Sequence, residues 1–281
     1  MNFKNIFSNF IWKDESNYDF SLSQSDKRNN SSYISDEELN LDKEIYTNIS
    51  SNLDYIKMKY NSMINSDIII REFTLKAKYK NFKAFIIFID GMVDTNLINN
   101  FVLKPLMLKD TNDDGFSIVS TNNVVIRKVK KINIQEYVIN SLIPQNSVKK
   151  QTLFSEIISG INSGNCALFI DTFPFALDID VKGFKQRSIS TPNNEVIIKG
   201  PQEAFVESLR TNTSMLRRTI NNENLIIENI NVGKLTKTKC AICYMKNIAN
   251  DDLVAEAKYR INNLKIDTLL ASRTIRTVNF Y

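Results

Sequence analysis

Apolar and polar residues follow two different periods along the chain, and these periods predict its elements. Two uninterrupted apolar runs, at 84–89 and 167–170, predict strands that are covered on both faces. Apolar residues spaced three and four apart predict helices over 36–60, 94–108, 133–142, 147–161, 201–220 and 251–264. Further strands are predicted over 67–73, 124–132, 175–181, 225–232 and 235–246. Strands that alternate with helices predict an α/β fold.

The order of these elements suggests a domain organisation. Residues 1–35 are largely polar and predict a flexible tail, and Ser35 with Glu38 predicts a capping box at the first helix. Both buried runs end in Phe-Ile and are followed by Asp, which suggests two similar lobes. We therefore expect a first α/β subdomain with its leading helix over 36–145 and a second α/β subdomain over 146–281.

The amino-acid composition excludes several kinds of catalytic and metal-binding site. The 281 residues include no histidine, which excludes Ser-His-Asp and Cys-His catalysis and every histidine-ligated metal site. Three cysteines are too few for a disulfide framework. Cys240 and Cys243 have CxxC spacing, but residues three apart on a predicted strand point to opposite faces, so we predict a structural role. No metal and no cofactor are expected.

Charge adds little to this picture. The net charge is +5, and residues 185–240 carry nine basic and five acidic groups. Such a segment is an ordinary solvated surface or faces an acidic partner or an anionic membrane. Its basic residues from Arg210 to Lys239 have no aromatic stacking pattern between them, so nucleic-acid binding is not expected. No apolar run reaches the length of roughly 18 residues that a membrane helix needs, and a soluble or peripheral chain is expected.

Two sets of polar residues are candidates for function. Asp90 and Asp171 each follow a buried strand, where ligands of α/β sheets bind, so they form an acid–base or metal pair or else bond local backbone N–H groups. The second set flanks an apolar stripe of Phe205, Leu209 and Leu216 on the helix predicted over 201–220, and its members are Glu207, Arg210, Asn212 and Arg217. This helix is an interaction surface or an ordinary amphipathic helix.

The same helix carries a family resemblance. The stretch GPQEAFVESLRTNTSMLRRTI closely resembles the signature of the GerA family, the A subunits of nutrient germinant receptors in endospore-forming bacteria. FIDGMVDTNLINNFVLKPL, SGNCALFID, GFKQRSISTPNNEVIIKGP and VGKLTKTKCAICYMKNIANDDLVAE are similar to further blocks of the family in the same order. The resemblance runs from about residue 68 to about residue 270.

The resemblance implies both a fold and a function. Family members have a soluble N-terminal region of two α/β subdomains, reminiscent of bacterial substrate-binding proteins, followed by a membrane region. They lie in the inner spore membrane, assemble with B and C subunits and are expected to form homo-oligomers. The complex senses nutrients and triggers germination, and it is not an enzyme. The family's membrane helices are expected after residue 266, so the chain resembles the N-terminal region of an A subunit, truncated before those helices.

Because they lie in the segment most similar to the family, the four polar residues of the signature helix are predicted to hold subdomains or subunits in register. Arg210 is predicted to contribute most. Two alternatives remain open. A soluble α/β enzyme would need Asp90 and Asp171 within one coordination sphere, roughly 5 Å apart. A small-solute-binding module would need a polar pocket between the two lobes.

Overall fold

The computed structural model describes residues 43–77, 80–108, 133–184, 205–264 and 266–267. The predicted tail, its capping box at Ser35 and Glu38, and the strand predicted over 124–132 lie outside these ranges. The described part forms two compact units, one over 43–228 and one that begins at residue 229.

A five-stranded antiparallel sheet forms the centre of the first unit. Its strands are β1 (Ile68–Ala77), β2 (Lys80–Ile89), β3 (Val148–Gln151), β4 (Cys166–Ile170) and β5 (Ala176–Ile179), in the spatial order β1-β2-β4-β5-β3. The two apolar runs lie side by side, because β2 pairs with β4 with Ala84 opposite Ile170. This single sheet crosses the boundary predicted between residues 145 and 146, and the described chain divides instead at residues 228 and 229.

Helices cover both faces of this sheet. They are α1 (Ile49–Lys59), α2 (Thr95–Leu97), which continues through a π-helical segment (Ile98–Leu103) into α3 (Lys104–Leu108), α4 (Ile134–Tyr137), which continues into a second π-helical segment (Val138–Leu142), and α5 (Phe154–Asn162). On β2, Ile86 and Phe88 pack into the core on one face, while Phe85 and Ile87 pack into the core on the other. An uninterrupted apolar run is therefore what the strand requires, and the α/β class and both covered strands are confirmed.

Two predicted helices are shorter than their patterns indicated. Helix α1 begins at Ile49, with Asn48 as its cap, because the residues before it are extended and Ile45 donates to the Thr152 carbonyl. The helix predicted from 147 begins at Phe154, since Val148–Gln151 is a strand that pairs with β5. In both places, pairing between distant segments overrides local helical spacing.

The last helix of the first unit is α6 (Leu209–Thr219), and its cap is Ser208, whose hydroxyl accepts from the Thr211 N–H. The predicted start at Pro201 is therefore wrong for the described part of this segment, because residues 205–208 are not helical.

The second unit contains a two-stranded sheet and a helix. Strand β6 (Leu225–Val232) leads into it from the first unit and pairs with β7 (Thr238–Met245), as predicted. Helix α7 (Asp251–Asn262) is capped by Asn250 rather than by the predicted Asp251. Within the ranges that the structure describes, we find no helix with the length and apolar character needed to cross a membrane.

Candidate functional site: the end of β2 and helix α6

The turn after β2 brings the sheet into close contact with α6. Asp90 donates its N–H to the Asp67 carbonyl at 2.8 Å, which places the two aspartates opposite each other at one end of β1 and β2. Gly91 follows with φ of +87°, a left-handed conformation that favours glycine. A Cβ there would lie 3.2 Å from Ser214 Cβ and 3.3 Å from the Arg210 carbonyl oxygen. The Asp-Gly pair therefore lets the α6 backbone approach the sheet.

Two arginines of α6 bind these two aspartates. Arg210 Nη2 donates to Asp90 Oδ1. Arg217 Nε donates to Asp67 Oδ2, and its Nη2 donates to Asp67 Oδ1, both at 2.8 Å. Seven residues are about two helical turns, so both arginines lie on the face of α6 that meets the sheet.

The two pairs differ sharply in exposure. The side chains of Arg217 and Asp67 are 2% and 9% exposed, whereas those of Arg210 and Asp90 are 51% and 37% exposed. An exposed pair stabilises a protein by under about 1 kcal/mol, because water and ions screen it. Breaking a buried pair by removing one partner costs about 3–5 kcal/mol. The structural role therefore belongs to Arg217, and Arg210 is available for another role.

A buried asparagine links the Arg217 end of α6 to strand β6. Asn65 Oδ1 accepts from Arg217 Nη2 and from the Ile227 N–H, each at 2.9 Å. Asn65 Nδ2 donates to the carbonyls of Tyr60 and Leu225, each at 3.1 Å. All four of its hydrogen-bonding positions are thus occupied. Neither Asn65 nor Asp67 was singled out from the sequence. The only signal there was an acidic residue, Asp67, at the start of a predicted strand.

A cleft of about 530 Å³ opens at the Arg210 end of α6. Two helix starts face it, since Asp94 caps α2 and Ser208 caps α6. Its lining combines two glycines, four hydroxyl residues, one amide and two charged side chains with two apolar residues: Gly91, Val93, Asp94, Thr95, Asn96, Gly183, Phe184, Ser208, Arg210, Thr211 and Ser214. Such a surface offers hydrogen bonds to a small polar solute.

Gly183 fixes one wall of this cleft. A Cβ on Gly183 would lie 2.5 Å from both the Cβ and the backbone nitrogen of Asp94. Its own N–H donates to the Met92 carbonyl, and the Asp94 N–H donates to the Val181 carbonyl. The segment that begins α2 is therefore held against the chain after β5 with no room for a side chain.

The two aspartates singled out from the sequence do not meet. Because β2 and β4 are antiparallel, Asp171 lies opposite Lys83 and donates its N–H to the Lys83 carbonyl. Lys83, in β2, and Asp90, just after it, are seven residues apart. That separation is about 23 Å along the strands. Asp171 Oδ1 instead accepts from the Ile49 N–H at the start of α1. A shared acid–base or metal site is therefore not supported.

The predicted interaction set also divides. Asn212 accepts from the Val206 N–H at 2.8 Å and donates to the Val206 carbonyl at 2.7 Å, so it fastens the chain that enters α6. Glu207 is exposed before the helix. The predicted apolar stripe is wrong, because Phe205 is 63% exposed and the buried side chains of α6 are Thr213, Ser214 and Arg217. The polar face of α6 is buried because it meets the sheet end that carries the Asp67 and Asp90 carboxylates, and these require polar partners.

Among the described residues, no group of three His, Cys, Asp or Glu could hold a metal ion. Cys240 and Cys243 lie on β7, and burial raises the pKa of the Cys240 thiol, which therefore stays protonated at neutral pH.

A mixed α/β domain with a polar cleft at a strand end is typical of a binding domain. The family comparison agrees with this class: residues 54–278 match the Bacillus/Clostridium GerA spore germination protein family, and the chain belongs to that family. The predicted family resemblance is thereby confirmed.

Individual relatives support the same assignment. The chain is 31% identical over 208 residues to Spore germination protein KA of Bacillus subtilis (strain 168), covering 74% of this chain and 35% of that protein. It is 28% identical over 232 residues to Spore germination protein B1 of the same organism, covering 83% and 44%. The chain thus spans less than half the length of these relatives.

A solved structure shows the same fold. The crystal structure of the N-terminal domain of the A subunit of the Bacillus megaterium spore germinant receptor GerK3 matches with a TM-score of 0.55 and 27% identity. The match covers 80% of this chain and 74% of that one.

Proposed function

We propose that this chain is the N-terminal region of a germinant-receptor A subunit, which takes part in nutrient sensing, receptor assembly and signal transmission without catalysing a reaction. In this proposal it works with B and C subunits and with further copies of itself, at the inner spore membrane. Membership of the GerA family and the likeness to the GerK3 A-subunit domain support this role.

The position of α6 is the observation that carries the proposal. Its first turn lines the cleft through Arg210 and Thr211, and its last turn is tied through Arg217 and Asn65 to the β6 residue Ile227. Strand β6 continues into the second unit. One helix thus lines the candidate solute site and is linked, through Asn65, to the strand that leaves the first unit. A connected hydrogen-bond network of this kind can couple two sites.

Small polar solutes fit the chemistry of the cleft. Its volume of about 530 Å³ lies within the range of roughly 300–1,000 Å³ usual for ligand sites. The helix starts present N–H groups and a partial positive charge, and Arg210 presents a guanidinium. Solutes with carboxylate or hydroxyl groups, such as amino acids and sugars, could use these donors.

Glycine amides offer a direct test of binding. Gly91 and Gly183 line the cleft, whereas Gly160 lies in α5, outside its lining. In NMR titrations of the ¹⁵N-labelled chain with L-alanine, L-leucine and glucose, we expect at least one solute to shift the amide resonances of Gly91 and Gly183 but not of Gly160. Unchanged Gly91 and Gly183 resonances with all three solutes would count against nutrient sensing by this cleft.

Arg210 connects this test to germination. Because its pair with Asp90 is half-exposed, replacing it should change stability by under about 1 kcal/mol. In an intact family member, the change equivalent to Arg210→Ala should therefore leave receptor levels normal and abolish germination. Glu72→Ala, which removes the exposed pair with Lys57, is the matched control and should leave germination normal. Normal germination in the Arg210 variant would refute a signalling role.

A further inference from the structure

Helix α6 is fastened to the sheet differently at its two ends, which indicates a movable element. We propose that α6 is a lever: the Arg217 end is a fixed pivot, and the Arg210 end is a releasable contact that opens and narrows the cleft. This inference concerns the motion of the chain itself, so it does not depend on the cleft binding a nutrient.

The pivot is defined by burial and by hydrogen-bond number. Arg217 donates three hydrogen bonds, two to Asp67 and one to Asn65. All three residues are buried, so salt screens the pair weakly. Asn65 in turn bonds to residues of β6, and Ser66 donates to the Ile227 carbonyl at 2.8 Å. Moving this end would break a connected, buried network, which is why it stays in place.

The other end of α6 is held weakly. Arg210 and Asp90 form a half-exposed pair that water and dissolved ions can replace. Among the described residues, the other hydrogen bonds of 205–214 stay within that segment, as between Asn212 and Val206 or Thr211 and Ser208. Gly91 approaches Ser214 so closely that a Cβ on the glycine would lie 3.2 Å from Ser214 Cβ, but Gly91 has no side chain that could form a polar contact there. The Arg210–Asp90 pair is therefore the polar contact that keeps this end on the sheet.

The length of the helix relates a rotation about the pivot to a displacement of the other end. Seven residues of helix separate Arg217 from Arg210, about 10 Å, so a rotation of about 15° about the pivot moves the Arg210 end by about 3 Å. Since Arg210, Thr211 and Ser214 form one wall of the cleft, this motion changes its width. The Thr219 end of α6 moves little.

Two spin-label distances separate a lever from a rigid helix. One pair of labels, at Asn96→Cys and Thr211→Cys, spans the cleft to the releasable end. The other, at Asn96→Cys and Thr219→Cys, reaches the pivot end. Both use the full 281-residue chain. Cys240→Ser and Cys243→Ser remove the two cysteines that are accessible to the label, and Cys166 is kept because it is buried. Distances are measured by pulsed electron paramagnetic resonance.

Three perturbations are compared with the unmodified pair. Asp90→Asn and Arg210→Gln each break the releasable contact from one side, and a rise in NaCl from about 0.05 M to about 0.5 M screens it. Each should lengthen or broaden the Asn96–Thr211 distance by about 3 Å and leave the Asn96–Thr219 distance unchanged. Glu72→Gln, which removes a similarly exposed carboxylate from its pair with Lys57, should change neither distance.

Other outcomes would overturn the lever. If Asp90→Asn and Arg210→Gln left both distances unchanged, the pair would not restrain α6. If both distances shifted together, α6 would move as a whole and Arg217 would not be a pivot. Circular dichroism and the urea midpoint of each variant show that the chain is folded. Because Asp90→Asn and Arg210→Gln remove the same ion pair from different residues, a distance change seen in both variants is due to loss of the pair.

Discussion

Arg217 should be among the most sensitive positions of the first unit, because its buried charge depends on one carboxylate partner. In the Arg217→Met variant, a side chain of similar length fills the space but donates no hydrogen bond. The Asp67 carboxylate, 9% exposed, then loses both of its hydrogen bonds of 2.8 Å. Asn65 keeps the Ile227 N–H as a donor to its Oδ1, so the penalty falls mainly on Asp67.

The expected magnitude follows from this burial. Removing one partner of a buried ion pair costs about 3–5 kcal/mol, out of a total stability of about 5–15 kcal/mol. With a urea dependence of about 3 kcal/mol per M, the midpoint of unfolding should fall by about 1–2 M. Arg210→Met, on the same helix face but in an exposed pair, should lower the midpoint by under about 0.3 M.

Urea unfolding followed by circular dichroism at neutral pH measures both variants. A double variant, Arg217→Met with Asp67→Leu, removes the orphaned carboxylate and should recover much of the loss, because apolar replacement of both partners is often neutral. If Arg217→Met cost no more than Arg210→Met, or if the double variant were no better than Arg217→Met, burial of this pair would not be the source of the stability.

Four further outcomes are expected. Gly160→Ala should lower the urea midpoint, because its Cβ would lie 2.7 Å from Asp178 Oδ1, and adding Asp178→Ala should restore it. Burial raises the pKa of the Asp178 carboxyl above its usual 3.8, so the native state binds more protons and loses stability as the pH rises through the folded pKa. Asp178→Asn should therefore be more stable than the wild type at about pH 7, with urea midpoints that converge towards about pH 4. Asn48→Ala should cost about 1 kcal/mol in the same assay, since its side chain accepts from two N–H groups of α1. Excess zinc should leave the melting temperature unchanged, and stoichiometric zinc binding that Cys240→Ser abolishes would contradict this.

Local features of the sequence were enough to predict several elements. The run at 84–89 lacks polar residues on both of its alternating faces, so it had to be covered on both sides whatever its neighbours were. Asp94 was correctly predicted to cap the helix that starts at Thr95, because capping depends on residues two or three positions apart. The signature of α6 likewise pointed to the family without any knowledge of its contacts.

Pairing between distant segments decided the rest. Arg217 and Asp67 are 150 residues apart in sequence, and no local spacing shows that an arginine on a helix is buried against an aspartate at a strand start. The same limit explains Asp90 and Asp171, which follow similar strands but lie at opposite ends of the sheet because those strands are antiparallel. The same limit explains why the apolar stripe predicted for α6 was wrong, since the polar face of this helix is the buried one. Burial follows apolar pattern only where the opposing surface is apolar, and the surface opposite α6 carries two carboxylates.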